Sequence, residues 1–255
     1  MIVCKSPAEI ERMRAANALV AEVLAELARM VAPGVTTRDL DARAEKLVRD
    51  GGAEPAFKGY RGYPSTLCAS VNEQVVHGIP SGRALDEGDI ISLDMGVKLN
   101  GYYGDSAVTV PVGRVSDEAA KLLRITRESL EKGIEQVRLG GRISDIGHAI
   151  QQHVEAHGFS VVREFVGHGI GAALHEEPQI ANYGEPGRGP RLAEGMTLAI
   201  EPMVNVGRPA VKVLADGWTA VTKDGSLSAH FEHTVAVTKD GPLVLTRRNV
   251  SAPAA

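Results

Sequence analysis

Residues 89–110 constrain the fold of this chain more than any other part of the sequence. Two runs of strand-forming residues are joined there by Asn100-Gly101. Asn-Gly favours a two-residue type I′ turn, because both central positions of that turn need a positive φ angle. The sequence therefore predicts an antiparallel hairpin in which Leu99 pairs with Tyr102.

The predicted register of the hairpin brings two aspartates together. Asp94 falls opposite Ala107, and Asp105 lies on the same face as its diagonal neighbour, with the two aspartate Cβ atoms about 7 Å apart. Two carboxylates that face one point repel each other unless a proton or a metal ion lies between them. From the hairpin alone, both a metal site and an aspartate solvated at a strand end stay open.

Composition limits the class of protein. The 255 residues are 44% hydrophobic and 24% charged, which suits a globular domain. A net charge of −4 argues against general binding to nucleic acid or to a membrane surface. No signal peptide or transmembrane run is evident, and Cys4 and Cys68 do not make a disulfide framework. These observations predict a soluble protein of the cytoplasm.

Two pairs of predicted helices occupy about residues 6–52 and 116–158. A shift of 106 positions aligns Gly34 with Gly140, each at the break within its pair. Strand-like sequence follows each pair, including residues 161–166 after the second. We therefore predict two α-α-β repeats around a shared central sheet.

The repeats predict an α+β fold made of one domain over residues 1–255. They cover about residues 6–110 and 116–240, and residues 249–255 are predicted to be a loose, flexible tail. Further strands are predicted over residues 65–71, 196–204, 218–222 and 231–238.

Four more polar residues lie in strand-like sequence or at the end of a strand. His168 follows the predicted strand 161–166, Glu201 lies within 196–204, and Glu232 lies near the start of the last long strand. The fourth, His175, opens the segment 175–178. A single buried glutamate is more often paired with a cation than catalytic, but few lysines or arginines are adjacent here. Four carboxylates without such partners predict cation binding.

The combination of four carboxylates, one imidazole and no thiolate favours Mn, Fe(II), Co or Mg over a cysteine-rich zinc site. Four carboxylates exceed what one ion requires, so this set of ligands predicts two metal ions. Metals in such pairs lie about 3.5–4 Å apart and activate a shared water for hydrolysis.

Six segments carry motifs in a fixed order: residues 72–80, the Asp94/Asp105 hairpin, 167–171, 174–178, 200–203 and 231–234. Together they resemble the type I methionine aminopeptidases in their short bacterial form. The resemblance implies the pita-bread fold, with a curved antiparallel sheet. It also implies metal-dependent removal of the initiator methionine from nascent proteins that have a small second residue.

The resemblance implies a role for each ligand. Asp94 would bind one divalent ion, His168 and Glu201 the other, and Asp105 and Glu232 would bridge the two. The ions would be Co, Mn, Fe(II) or Zn, and a bridging water or hydroxide would attack the carbonyl of the N-terminal methionine. Glu201 would accept a proton.

The resemblance also implies roles for residues around the metals. His175 would stabilise the tetrahedral oxyanion, and His77 would contact the scissile amide or the leaving nitrogen. The methionine pocket would be lined by Tyr60, Tyr63, Cys68, Leu174 and Trp218. A monovalent cation would bind at Asn72, Gln74 and Ser228. The implied partners are the N-terminal methionine of nascent chains and, transiently, the ribosome, for an enzyme that is a monomer.

The chain departs from the family pattern at three positions. Leu174 stands where many relatives have an aromatic residue, and Phe57 where some have a small one. His230 stands where relatives often have an amide side chain. It either hydrogen-bonds near the cluster or is an ordinary structural histidine.

Two other classes of function compete. Aminopeptidase P and prolidase share the fold and ligands but carry a substantial N-terminal domain, and only 76 residues precede His77 here. Type II methionine aminopeptidases carry an insert between the two glutamates, and Glu232 follows Glu201 by only 31 positions. A non-catalytic binding protein of the same fold should have lost a ligand, and all five are present.

Overall fold

The structure, a computed structural model, describes residues 1–247. Its helices are α1 (Pro7–Met30), α2 (Thr37–Asp50), α3 (Asp117–Ile134) and α4 (Ile143–Ala156). Its strands are β1 (Glu54–Pro55), β2 (Cys68–Val71), β3 (Gln74–Val76), β4 (Ile90–Leu99), β5 (Tyr102–Pro111), β6 (Ser160–Val161), β7 (Gly167–Gly169), β8 (Glu176–Ile180), β9 (Thr197–Ile200), β10 (Met203–Asn205), β11 (Val211–Val213), β12 (Ala220–Thr222), β13 (Ser228–His230), β14 (Glu232–Thr238) and β15 (Gly241–Val244). A short 3₁₀ helix spans Tyr60–Gly62.

Local signals in the sequence set the helix starts. Ser6 and Glu9 form a capping box at α1, in which each side chain accepts a hydrogen bond from the other residue's backbone N–H. Helices α2 and α4 start at Thr37 and Ile143, which are 106 positions apart, like the glycines aligned in the sequence. The division of the whole chain into two repeats stays a prediction.

The hairpin has the predicted register. Leu99 pairs with Tyr102, and Asp94 pairs with Ala107 along the β4–β5 ladder. Asn100 and Gly101 have φ angles of 52° and 82°, as a type I′ turn requires. The placement of the two aspartates on one face is therefore confirmed.

One large antiparallel sheet organises the molecule. Its strands follow the order β1-β4-β5-β14-β9-β7-β8, with β2 added on β4 and β15 on β14. Helices α1 and α3 pack on one face of this sheet. On β4, Leu93 and Met95 enter the apolar core beneath α1, so Asp94 between them points to the opposite face.

Two predicted strands prove to be broken. The strand predicted over residues 161–166 is wrong beyond Val161, because β6 pairs with β10 in a second sheet and β7 pairs with β9 in the large one. The strand predicted over 196–204 stops at Ile200 and resumes at Met203. Pro202 has no N–H to donate to a ladder, so the chain changes sheets at Glu201-Pro202.

Two predicted strand starts lie too early. β2 begins at Cys68 rather than Ser65, because the Asp41 carboxylate accepts the N–H groups of Thr66 and Leu67 at 2.9 Å. β12 likewise begins at Ala220 rather than Trp218. There the Asp216 side chain accepts the N–H groups of residues 218 and 219.

Within residues 1–247, none of the helices combines the length and apolar character that crossing a bilayer demands. The tail predicted at 249–255 lies outside the described residues.

Candidate active site

Five neighbouring strands of the large sheet each supply one side chain to a single cluster. In sheet order, Asp94 comes from β4, Asp105 from β5 and Glu232 from β14. Glu201 directly follows β9, and His168 comes from β7. Strand pairing aligns them, with Glu232 opposite Ala107 and His168 opposite Ala199. The structure thus brings together all five residues predicted as metal ligands.

The imidazole of His168 lies among the carboxylates. Its Nε2 atom is 3.8 Å from Oδ2 of Asp105 and 3.6 Å from Oε1 of Glu201. Ligand atoms of Asp105, His168 and Glu232 all lie within 4.8 Å of one another. The Nδ1 atom of His168 is 2.8 Å from the carbonyl oxygen of Gly169. That contact places the ring proton on Nδ1 and leaves the Nε2 lone pair free for a metal.

Burial dominates the electrostatics of the four carboxylates. It raises the pKa of Asp94 to about 7. Burial, followed by repulsion from the other carboxylates, also raises the pKa values of Asp105, Glu201 and Glu232 well above their usual range. In the described part of the chain, the basic side chains within 4.0 Å of these carboxylates are histidines, and neither lysine nor arginine is among them.

The donor set fits divalent cations. Oδ1 of Asp105 and Oε1 of Glu232 are buried and have no hydrogen-bond partner among residues 1–247. Burial also lowers the pKa of His168 to about 4, so its ring is neutral near pH 7. Buried carboxylate oxygens without donors, beside a neutral imidazole, are the environment that a divalent ion stabilises.

His175 stands at the mouth of the cluster. Its Nδ1 atom is 3.0 Å from the hydroxyl of Tyr60, and the two rings stack with centroids 5.3 Å apart. Its ring centroid is 4.2 Å from that of His168. Desolvation, and then the charge of Arg61, lowers the pKa of His175. The ring is therefore neutral near pH 7.

His77 lies on another wall of the same site. Its ring meets Phe165 and Trp218 edge-on, with centroids 5.4 and 6.2 Å away. Burial lowers its pKa to about 4, so this imidazole is neutral as well. Its backbone has a φ of 61°, which is uncommon for a residue with a side chain.

A cavity of about 160 Å³ opens directly onto the cluster. Its walls contain all the residues predicted for the methionine pocket: Tyr60, Tyr63, Cys68, Leu174 and Trp218. Tyr63 and Trp218 meet edge to face with centroids 5.1 Å apart. A larger cavity of about 720 Å³ lies between α1 and α3, and neither Asp94, Asp105 nor His168 lines it.

Two contributors to the cavity were not assigned to it from the sequence. Arg61 lines it and places its guanidinium 5.4 Å from the centre of the Tyr60 ring. Phe57 also lines the cavity. Its ring lies so close to Gly96 that a Cβ on that glycine would touch it. Phe57 stood out in the sequence as a departure from the family pattern, whereas Arg61 belongs to no motif and carried no signal.

The residues predicted for a monovalent cation lie near one another, but their side chains are already engaged. Asn72 accepts from the N–H of Ile90 and donates to Asp89. The side-chain oxygen of Gln74 accepts from Val71. The hydroxyl of Ser228 donates to the carbonyl oxygen of Val204 at 3.4 Å, and its N–H donates to the carbonyl oxygen of Asn72 at 2.9 Å. A cation there would depend on backbone carbonyl oxygens.

His230 belongs to the neighbourhood of the cluster. Its Nε2 atom is 3.7 Å from Oε2 of Glu201. The side chain is 1% exposed, and neither ring nitrogen has a partner among residues 1–247. Burial lowers its pKa to about 3. Of the two interpretations left open by the sequence, its position favours a role beside Glu201.

Comparison with known proteins places this geometry in a family. The sequence profile of metallopeptidase family M24 matches residues 11–239. The chain therefore belongs to metallopeptidase family M24.

Within that family its relatives are methionine aminopeptidases. Methionine aminopeptidase 1 of Bacillus subtilis is 56% identical over 97% of this chain and 100% of the relative. Methionine aminopeptidase of Clostridium acetobutylicum is 54% identical over 96% and 99%. The crystal structure of methionine aminopeptidase from Thermotoga maritima matches with a TM-score of 0.96 at 49% identity, covering 97% of this chain and 100% of that one. The predicted family is confirmed.

A more distant match bears on the fold alone. Prolidase from Pyrococcus furiosus aligns with a TM-score of 0.79 at 23% identity, over 97% of this chain and 66% of that one. The shared architecture confirms the predicted pita-bread fold.

Proposed function

We propose that this chain removes the initiator methionine from the N-terminus of nascent polypeptides whose second residue is small. The observation that supports this function best is the small cavity beside the buried cluster. At about 160 Å³ it is smaller than pockets for drug-sized ligands, which measure about 300–1,000 Å³. A cavity of this size suits one side chain of a substrate, and the acidic cluster forms part of its wall.

Two divalent ions are proposed as cofactors, of Co, Mn, Fe(II) or Zn. Asp94 would hold one ion, His168 and Glu201 the other, and Asp105 and Glu232 both. When bound, such ions supply a water of lowered pKa and polarise the carbonyl of the scissile bond. The neutral state of His168 and the unpartnered carboxylate oxygens support this assignment.

Glu201 is the proposed proton acceptor. Burial and its carboxylate neighbours raise the pKa of its carboxyl well above the usual range, so it holds a proton more readily than a solvated glutamate does. It lies where the chain leaves the large sheet, with His168 on one side and His230 on the other. A proton taken up at its carboxylate can pass to the leaving amine.

The two accessory histidines are proposed as hydrogen-bond donors to the substrate. In this role the Tyr60 hydroxyl, 3.0 Å from Nδ1 of His175, would donate to that nitrogen, and the ring proton would lie on Nε2. That proton can be donated to the carbonyl oxygen as negative charge develops on it. His77, whose ring packs edge-on against Phe165 and Trp218, would contact the amide or its leaving nitrogen.

The cavity walls suit the methionine side chain. Aromatic rings and a thiol are soft, polarisable contacts for a thioether. Burial, and then the charge of Asp94, raises the pKa of the Cys68 thiol, so Cys68 is protonated and acts as a wall. The second residue of the substrate must pass close to the metal cluster, which is why we propose that it is small.

The setting of the reaction is also proposed. The net charge of −4 agrees with a cytoplasmic enzyme that has no nucleic-acid specificity of its own. We propose that it acts as a monomer with transient ribosome contact. A monovalent cation near Asn72, Gln74 and Ser228 would stabilise the loop that leads to His77.

Peptide hydrolysis tests the function. Metal-free protein is titrated with Mn, Co, Fe(II) and Zn, and release of methionine from Met-Ala-Ser and Met-Leu-Ser is measured. We expect metal-dependent release from Met-Ala-Ser, little from Met-Leu-Ser, and loss of activity in Asp105→Asn. Asp240→Asn, at an exposed turn, is the matched control. Folded protein that releases no methionine with any metal would favour a binding protein of the same fold.

A further inference from the structure

The segment before α1 is anchored beside the turn that carries Leu174 and His175. The N–H of Lys5 donates to the carbonyl oxygen of Gly195 at 2.7 Å. Its side chain is buried, and Nζ donates both to the carbonyl oxygen of Val3 at 3.1 Å and to the carboxylate of Glu176. Lysine is rarely this buried unless it has an ionic partner, and Lys5 is only 5% exposed.

Two glycines leave space for Lys5. A Cβ on Gly195 would collide with the backbone of Lys5, and a Cβ on Gly171 would collide with Cε of its side chain. Gly171 begins the turn that leads to His175. Its carbonyl oxygen accepts the N–H of Tyr103 at 2.8 Å, which ties the start of the turn to β5. Lys5 therefore fits closely against both loops that it joins.

Glu176 links Lys5 to the turn that carries Leu174 and His175. One carboxylate oxygen pairs with Lys5, and the other accepts the N–H of Ala173 at 3.0 Å. The two bonds close a loop around Leu174 and His175. Since Glu176 also opens β8, opposite Gly169, the same carboxylate fixes where this strand begins.

His175 is held less firmly than its neighbour Leu174, by this turn and by ring contacts with Tyr60 and His168. Its side chain is exposed, and the hydroxyl of Tyr60 is its hydrogen-bond partner within the described residues. Leu174 is different, because it is 2% exposed and packs in an apolar cluster with Met13 and Ile170. A shift of the turn would therefore displace His175 before Leu174.

We propose that Lys5 is a positioning residue for the reaction, which acts through Glu176 to hold His175 at the mouth of the cavity. This inference rests on the proposed role of His175. Without Lys5, the carboxylate of Glu176 is a nearly buried charge without a cation. It turns toward water and releases the N–H of Ala173, so the turn opens.

A double-mutant cycle on Lys5 and Glu176 tests the proposal. The variants are Lys5→Met, Glu176→Gln and the double variant, each metal-loaded and assayed with Met-Ala-Ser. Metal stoichiometry and thermal unfolding are measured on the same samples. We expect about a tenfold fall in kcat for Lys5→Met, since His175 acts mainly on the transition state. KM should rise less, because Leu174 keeps its apolar contacts.

The double variant is the informative arm. The amide oxygen of a glutamine at 176 can still accept the N–H of Ala173, and neither buried charge remains. We expect its kcat to recover most of what Lys5→Met loses, whereas Glu176→Gln alone stays impaired because it leaves Lys5 without a counter-ion. Lys132→Met, which removes the exposed ion pair between Lys132 near the end of α3 and Glu135 just after it, should leave kcat and KM unchanged.

Each contrary outcome has a distinct meaning. Lys5→Met with wild-type kcat and a lower melting temperature would make the pair merely structural and overturn the proposal. Loss of metal from Lys5→Met would place the effect at the cluster and also overturn it. If Lys5→Met does not fold, Glu176→Gln is the variant that tests the proposal. A wild-type kcat in Glu176→Gln would then refute a positioning role for the pair. Inactive wild-type protein in the same assay would instead count against the proposed function.

Discussion

At the scale of single residues, the buried carboxylates work against folding in the absence of metal. The pKa of Asp94 is about 7 in the folded protein, compared with about 3.9 in an unfolded chain. Between these values the folded state binds more protons, so the contribution of Asp94 to stability falls as pH rises from 4 to 7. Above pH 7 its full unfavourable contribution is present.

Asp94→Asn should therefore stabilise the metal-free protein at pH 8. We expect its free energy of unfolding to rise by about 1–4 kcal/mol, with the gain shrinking toward pH 4. Urea unfolding of chelator-treated protein between pH 4 and pH 8 measures this free energy, with Asp240→Asn as the control. The same variant should lose activity. Lower stability of Asp94→Asn at pH 8 would contradict this account of the cluster.

Cys68 provides a second test at this scale. Because burial raises the pKa of its thiol, it is not a thiolate nucleophile. Cys68→Ala should keep kcat within about threefold of wild type while KM for Met-Ala-Ser rises, since only a wall contact is lost. Steady-state kinetics on metal-loaded protein measures both constants. A loss of kcat of two orders of magnitude would give the thiol a chemical role.

At the scale of elements, prediction succeeded where the signal was local. The register of the β4–β5 hairpin follows from Asn100-Gly101, and the start of α1 follows from its capping box. Prediction failed at 161–166 and at 196–204, where apolar runs change sheets. A hydrophobic run signals burial but does not say which strand it pairs with, so the breaks were visible only in the fold.

The hairpin turn offers a test at this scale. Gly101 has a φ of 82°, and a Cβ there would meet nothing within 4 Å. Gly101→Ala should therefore lower stability by about 1 kcal/mol through backbone conformation alone. Activity should be unchanged, because the turn lies at the far end of the hairpin from Asp94. Gly82→Ala, at an exposed position without positive φ, is the control for urea unfolding.

At the scale of the whole molecule, five neighbouring strands converge on the cluster, and a bound metal would cross-link them. A ligand present at 100 times its Kd stabilises the folded state by about 2.7 kcal/mol. We expect chelation to lower the melting temperature and re-addition of Mn or Co to restore it. The melting temperature of Asp105→Asn should change much less on chelation and on re-addition of metal. Equal melting temperatures with and without metal would argue against the proposed ligands.

Metal binding should also be linked to protons. The pKa of Asp94, raised to about 7, means that this carboxylate is partly protonated near neutral pH, and a metal must displace the proton. Affinity for Mn should therefore increase from pH 6 to pH 8. Calorimetry in buffers of different ionisation enthalpy should detect proton release, and release should decline as pH rises above 7. Affinity independent of pH would contradict protonated carboxylates.

The sequence by itself determined the hairpin register, the helix starts and the identity of the polar residues that belong together. These follow from turn chemistry, capping and the rarity of carboxylates in apolar strands, all of which act over a few residues. The tertiary structure decided what comes from far apart in the chain: the break at Pro202, the position of His230 beside Glu201, and the ion pair of Lys5 with Glu176. Such contacts depend on which strands and loops become neighbours, and the order of strands in the sheet, rather than local sequence, sets that.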